Sequence, residues 1–85
     1  MESVKREGWK VYILECKDGS FYTGVTNDIE NRMKAHANRT GSKYVARKGF
    51  KRLIASKECI SKSEACKEEY AIKQLSREEK LAQFR

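Results

Sequence analysis

The sequence predicts a small mixed α/β or α+β domain with the element order ββ-α-α-β-α-α. Three observations carry that expectation. Two runs rich in β-branched and aromatic residues flank the turn signal Lys17-Asp18-Gly19. A third such run begins at Phe50. Asp or Ser stands at the head of each of four helical stretches. The length, 85 residues, fits one domain covering 1–85 with a core of about 9–83. A chain this short buries only about 60% of its unfolded surface, so the core is small.

The first strand is Trp9 to Cys16 and the second Phe21 to Val25, joined as a hairpin. Asp28 caps a helix that runs to about Asn38, with an apolar stripe of Ile29 and Met33 joined by His36. Ser42, after Gly41, caps a short basic helix that ends at Gly49. Phe50 to Ser56 is the third strand. Ser61-Lys62-Ser63-Glu64 and Ser76-Arg77-Glu78-Glu79 read as capping boxes, opening helices of about 61–75 and 76–83.

Charge and composition narrow the function. Lys and Arg number 19 against 12 Asp and Glu, a net +7, which favours acidic partners and above all nucleic acid. A solvated basic surface is the plain alternative. No stretch approaches the roughly 18 apolar residues of a membrane helix. The opening Met1-Glu2-Ser3-Val4-Lys5-Arg6 leads into no apolar run, so it does not read as a secretion signal. The expected setting is therefore the cytoplasm, with no membrane partner. Cys16, Cys59 and Cys66 are odd in number and lack a Cys-x-x-Cys pair. With His36 as the single histidine they do not make a four-ligand zinc site, and they read as small, partly buried apolar residues.

Four groups of residues can carry chemistry. Tyr12 and Tyr22 lie on neighbouring strands. A two-residue Asp18-Gly19 loop would pair Glu15 with Tyr22 and send the two phenols to opposite faces. A three-residue Lys17-Asp18-Gly19 loop would pair Tyr12 with Gly24 and put both phenols on one face. In that register Gly24 would leave open space beside Tyr12, as a ligand site would. Arg32 and His36 stand four apart on the first helix and project from one side. The guanidinium suits a phosphate and the imidazole suits proton transfer.

Glu69 falls between Ala65 and Ile72 on the helix after Ser61, in an arc bounded by Leu75 and Tyr70 that also holds Glu68 and Lys73; a carboxylate there turns inward to a site or marks the helix as half buried. As a hard oxygen ligand it suits Mg²⁺. The plain reading is a helical ion pair with Lys73, in the favourable order. The basic stretch from Lys43 to Arg52 interleaves Lys43, Arg47, Lys48, Lys51 and Arg52 with Tyr44 and Phe50. That is a nucleic-acid contact or a solvated face.

Taken in order, these pieces resemble the GIY-YIG nuclease family over about Trp9 to Gln83, and most closely its small stand-alone bacterial members. Lys10-Val11-Tyr12 stands where the family has Gly-Ile-Tyr, and Tyr22-Thr23-Gly24 where it has Tyr-Ile-Gly. Arg32 matches the family's helix arginine, His36 the residue one turn later, and Glu69 the metal-binding glutamate. The resemblance implies a three-stranded antiparallel sheet flanked by helices. It also implies hydrolysis of DNA phosphodiester bonds with one Mg²⁺ or Mn²⁺ held by Glu69.

Further roles follow from the same resemblance. Arg32 would neutralise the phosphate and the metal would stabilise the leaving oxygen. Tyr12 or Tyr22 would orient or deprotonate the attacking water, its phenol brought below its usual pKa of about 10 by nearby positive charge. Branched, flapped or damaged DNA, a recruiting protein, and a place in DNA repair or recombination fit a catalytic domain with no separate targeting domain.

Two departures stand out. Lys10 stands at the place of the first glycine, with Val11 beside it at the isoleucine, and no Asn follows Glu69 where family nucleases often carry one; Leu81 and Phe84 stand in that region. The missing Asn keeps a second reading alive, a scaffold that binds nucleic acid without cutting it. A protein-interaction adaptor with incidental charge is a third.

Overall fold

The computed structural model describes residues 8–84, and the N-terminal reading of Met1 to Arg6 lies outside them. The elements follow in the expected order: β1 (Trp9–Cys16), β2 (Phe21–Thr26), α1 (Ile29–Ala37), α2 (Lys43–Lys48), β3 (Phe50–Cys59), α3 (Lys62–Lys73) and α4 (Arg77–Ala82). The three strands form one antiparallel sheet in the order β2-β1-β3. This is an α+β fold.

The hairpin takes its three-residue loop. The Gly19 N–H donates to the Cys16 carbonyl (2.9 Å) and the Cys16 N–H donates to the Ser20 carbonyl (2.8 Å). Gly19 sits at φ +88°, a conformation that costs glycine little. The resulting register pairs Leu14 with Tyr22 and Tyr12 with Gly24.

Because β1 is central, Val11 through Cys16 are all buried. Successive side chains point to opposite faces, so the strand supplies two cores. Tyr12, Leu14 and Cys16 join Val45 of α2, with Tyr22, Ile29, Met33 and Phe50 packed around them. Val11 and Ile13 join Ile72 of α3, with Phe21, Val25, Ile54 and Phe84 around them. One odd-numbered position is polar: Glu15 is buried on β1, and its Oε1 accepts from the Arg52 Nε–H at 2.9 Å. That bond, from a guanidinium on β3, holds the Glu15 carboxyl below its ordinary pKa.

The helix starts are local chemistry. Asp28, Ser42, Ser61 and Ser76 each accept a backbone N–H three residues on. The reciprocal half of the capping box is made at Ser76, where Glu79 accepts the Ser76 N–H (3.0 Å). At Ser61 it is not: Glu64 Oε1 instead accepts the N–H of Ile60 (2.8 Å), one residue earlier.

Other boundaries shift. β3 runs three residues past Ser56, because Lys57, Glu58 and Cys59 pair with Val11, Lys10 and Trp9. α3 ends at Lys73, so Leu75 is outside it. Tyr70 is 71% exposed and does not bound an inward face. Cys66 is exposed rather than partly buried. The expectation of an ordinary apolar role holds for Cys16 and Cys59, which are buried and half-buried.

Candidate active site

The site is assembled where α1 crosses the even-numbered face of β1. Met33 and Ile29 anchor α1 to the Tyr12–Leu14 core. That anchoring turns His36, one turn after Arg32, onto the sheet, where it is 1% exposed. Its Nε2 lies 2.8 Å from the Tyr12 hydroxyl. With both groups neutral, one hydrogen is shared between them, and the tautomer of the ring decides which donates.

The rings around this bond form a nest. Tyr12 and Tyr22 are 6.4 Å apart. His36 meets both edge-on, at 5.8 Å and 5.6 Å. Phe50 stacks on the imidazole at 6.3 Å. Tyr44 stacks on Tyr22 at 5.8 Å, and the Lys48 ammonium lies 5.5 Å from the Tyr44 ring. Phe50 is therefore a wall of the histidine site rather than part of a nucleic-acid contact face.

Two glycines permit the nest. A Cβ at Gly24 would stand 2.5 Å from the Tyr12 hydroxyl oxygen and 3.0 Å from a Tyr22 ring carbon. The space beside Gly24 is thus filled by the Tyr12 phenol itself, not left open for a ligand. A Cβ at Gly41 would stand 2.6 Å from His36 Nδ1. The Gly41 carbonyl also accepts from Arg32 Nη1 at 3.4 Å. Gly41 therefore touches both α1 residues of the site. In the sequence it reads only as the residue before the Ser42 cap, and its place five residues after His36 is the one signal of this contact.

Electrostatics set the resting protonation. Burial raises the Tyr12 phenol well above its ordinary value of 10, and the neighbouring Tyr22 adds to this. Arg32 pulls it down and Glu69 raises it, so charges on α1 and α3 both reach the phenol. Burial lowers the His36 pKa from 6.5, and the Arg32 cation lowers it further. At neutral pH the pair is a protonated phenol beside a neutral imidazole. His36 Nδ1 is buried without a hydrogen-bond partner.

The remaining candidates are spread more widely. Glu69 is half-buried on α3 and pairs with Lys73 (3.1 Å), the helical ion pair expected from their spacing. Among the described residues no three His, Cys, Asp or Glu side chains converge to hold a metal. A closed all-protein site is thus not present there. A single carboxylate with water and phosphate oxygens completing the shell is a Mg²⁺-type donor set, and Glu69 fits that.

Of the basic stretch, Lys43, Tyr44 and Arg47 are exposed on α2. Lys48 is instead tied to Asp18 at 2.9 Å. Lys51 and Arg52 face Glu15, at 3.8 Å and 2.9 Å. Sequence reasoning did not foresee these acidic partners, which come from the hairpin turn and from β1.

This sheet of three antiparallel strands flanked by helices is the fold of a GIY-YIG domain. The profile of that domain matches residues 8–82, and the chain belongs to the GIY-YIG family. The UPF0213 protein BH0048 of Halalkalibacterium halodurans is 53% identical over 70 residues, covering 82% of this chain and 74% of the relative. The UPF0213 protein OB0043 of Oceanobacillus iheyensis is 51% identical, covering 84% and 83%. The UPF0213 protein VNG_2274C of Halobacterium salinarum is 45% identical, covering 87% and 96%.

The solution NMR structure of the UPF0213 protein BH0048 from Bacillus halodurans matches with a TM-score of 0.53 at 50% identity, over 88% of this chain and 80% of that one. Family membership indicates nuclease activity as the general class, DNA as the substrate class and a divalent metal as the usual cofactor. Among the described residues no helix is long and apolar enough to cross a membrane.

Proposed function

We propose that this protein is a Mg²⁺- or Mn²⁺-dependent endonuclease that hydrolyses DNA phosphodiester bonds, with branched or damaged DNA and a role in repair or recombination as its field of action. The observation that carries this reading is the buried Tyr12–His36 bond beside Arg32. Of the two phenols at the site, Tyr12 is the one 2.8 Å from His36 Nε2, and in the tautomer with hydrogen on Nδ1 it donates to that nitrogen. Taking a proton from water would require Tyr12 to pass its own to His36 Nε2.

That transfer is unfavourable in the free protein, because burial and Arg32 both oppose an imidazolium. A phosphate on Arg32 neutralises the cation and leaves only burial opposing the imidazolium. Substrate binding would thus raise the basicity of His36 when it is needed. Arg32 holds and neutralises the phosphate, and Tyr22 orients the water. Glu69 would hold the metal after releasing Lys73. The bound cation would supply charge neutralisation at the phosphate and the leaving oxygen. Lys43, Tyr44, Arg47 and Lys48 would contact the flanking backbone.

A second reading, a scaffold that binds nucleic acid without cleaving it, is supported by the Glu69–Lys73 pair and by the lack of Asn after Asn38. The test is a cleavage assay on plasmid and branched DNA with Mg²⁺ or Mn²⁺, comparing wild type with Glu69→Gln, Tyr12→Phe and His36→Gln. Metal-dependent cutting that Glu69→Gln abolishes, with the fold intact, supports the nuclease. Binding without product supports the scaffold. Cutting that survives Glu69→Gln would sink the assigned site.

A further inference from the structure

A cleft opens between the end of β2 and the first turns of α1. Its walls are Thr26, Asn27, Asp28, Asn31, Arg32 and Ala35, and its volume is about 170 Å³. Pockets for drug-sized ligands run to roughly 300–1,000 Å³, so this one suits a single ring system. One wall is Arg32, the residue assigned to the phosphate. Whatever is bonded to that phosphate lies next to the cleft.

The lining discriminates among the parts of a nucleotide. Asp28 puts a carboxylate in the wall, held by the Asn31 N–H at 3.3 Å and by Asn31 Nδ2 at 2.7 Å. A second phosphate would meet that negative charge. Among the described residues no aromatic ring lines the cleft, so stacking is not what would hold a base there. What the walls offer is hydrogen bonding. Asn27 and Asn31 are exposed carboxamides, and the bond to Asp28 uses only one of the two Asn31 amide N–H groups. Thr26 Oγ1 accepts the Asp28 N–H at 3.0 Å, a bond that leaves the hydroxyl hydrogen unused.

We infer that this cleft is a subsite for the nucleobase adjoining the phosphate on Arg32, with Asn27 and Asn31 reading the base edge. A carboxamide matches adenine best, since it can donate to N7 and accept from the N6 amino group together. The protein would then prefer an adenine next to the phosphate it engages. This rests on the assignment of phosphate to Arg32 and adds a specificity to it.

The test is an NMR titration of the isotope-labelled full chain with four probes: inorganic phosphate, deoxyadenosine monophosphate, deoxycytidine monophosphate and deoxyadenosine. Phosphate is expected to move resonances around Arg32. Deoxyadenosine monophosphate is expected to move the Asn27 and Asn31 side-chain amides as well, and to bind about fivefold or more tightly than the cytidine nucleotide. The Asn27→Ala/Asn31→Ala double variant should lose that difference and keep its phosphate affinity. Equal binding of both nucleotides, or a preference that survives the double variant, overturns the subsite. If phosphate leaves Arg32 unmoved, the role given to Arg32 fails. Deoxyadenosine alone then decides the cleft: shifts at Asn27 and Asn31 uphold it, and their absence overturns it.

Discussion

Gly41→Ala probes the site through a residue that has no functional group. The added Cβ would stand 2.6 Å from His36 Nδ1, 2.9 Å from Cε1 and 3.0 Å from Cγ. None of these atoms is the loose end of a flexible side chain, because Tyr12, Tyr22 and Phe50 confine the ring. Overpacking of this kind costs about 1–3 kcal/mol. Gly41 does not sit at positive φ, so its backbone accepts alanine. The loss of unfolded-state freedom returns about 0.4–1 kcal/mol. The net expectation is a destabilisation of about 1–2 kcal/mol. For a domain of this size that lowers Tm by about 5–15 °C.

Thermal unfolding at neutral pH reads the stability, and the ring-nitrogen NMR shifts of His36 read the displacement. Gly8→Ala is the control, since nothing lies within 4 Å of a Cβ there. An unchanged or higher Tm for Gly41→Ala, with His36 resonances unmoved, would refute the packing argument.

Three further outcomes are expected. The folded state holds His36 below 6.5, so the unfolded chain takes up that proton first as pH falls. The His36 contribution to stability is therefore full above about pH 6.5 and declines below it. Urea midpoints across that range should show the decline, and His36→Gln should flatten it; identical profiles would contradict the burial. Ile72→Ala should cost about 2–5 kcal/mol, since Ile72 is the α3 anchor of the second core. A change under about 1 kcal/mol in chemical denaturation would argue against that anchor. In DNA binding, removing Lys43 or Arg47 should reduce the slope of log K against log salt by about 0.9 each. Lys48→Ala should change it less, because Asp18 already holds that ammonium.

What could be read from the sequence was what local chemistry decides. Asp28, Ser42, Ser61 and Ser76 cap helices through bonds to residues three away, and the Glu69–Lys73 pair spans one helical turn. Tyr12 and Tyr22 were harder. Their shared face hangs on one residue of loop length, and only the turn geometry at Gly19 settles it.

What stayed hidden depends on distant packing. Phe50 against His36, Gly41 against the imidazole and Glu15 beneath Arg52 are contacts between elements that the sequence separates. Their residue types fit other roles equally well. The last residues of β3 are not legible in the sequence because Lys57 and Glu58 look like a strand end, yet they pair with the start of β1.

The two halves of the Tyr12–His36 pair belong to parts of the chain with different freedom to open. Tyr12 lies mid-way along a strand paired on both sides and covered on both faces. Its amide can exchange hydrogen with solvent only when the sheet itself comes apart, so it should report the global unfolding energy. Residues 38–42, of which Gly41 lies against the imidazole, form a turn whose amides bond mainly to the end of α1. They can open alone, at a fraction of that energy. The histidine thus sits between a floor tied into the sheet and a turn tied only to its own helix, and hydrogen exchange at Gly41 rather than at Tyr12 is expected to track solvent access to its orphaned Nδ1.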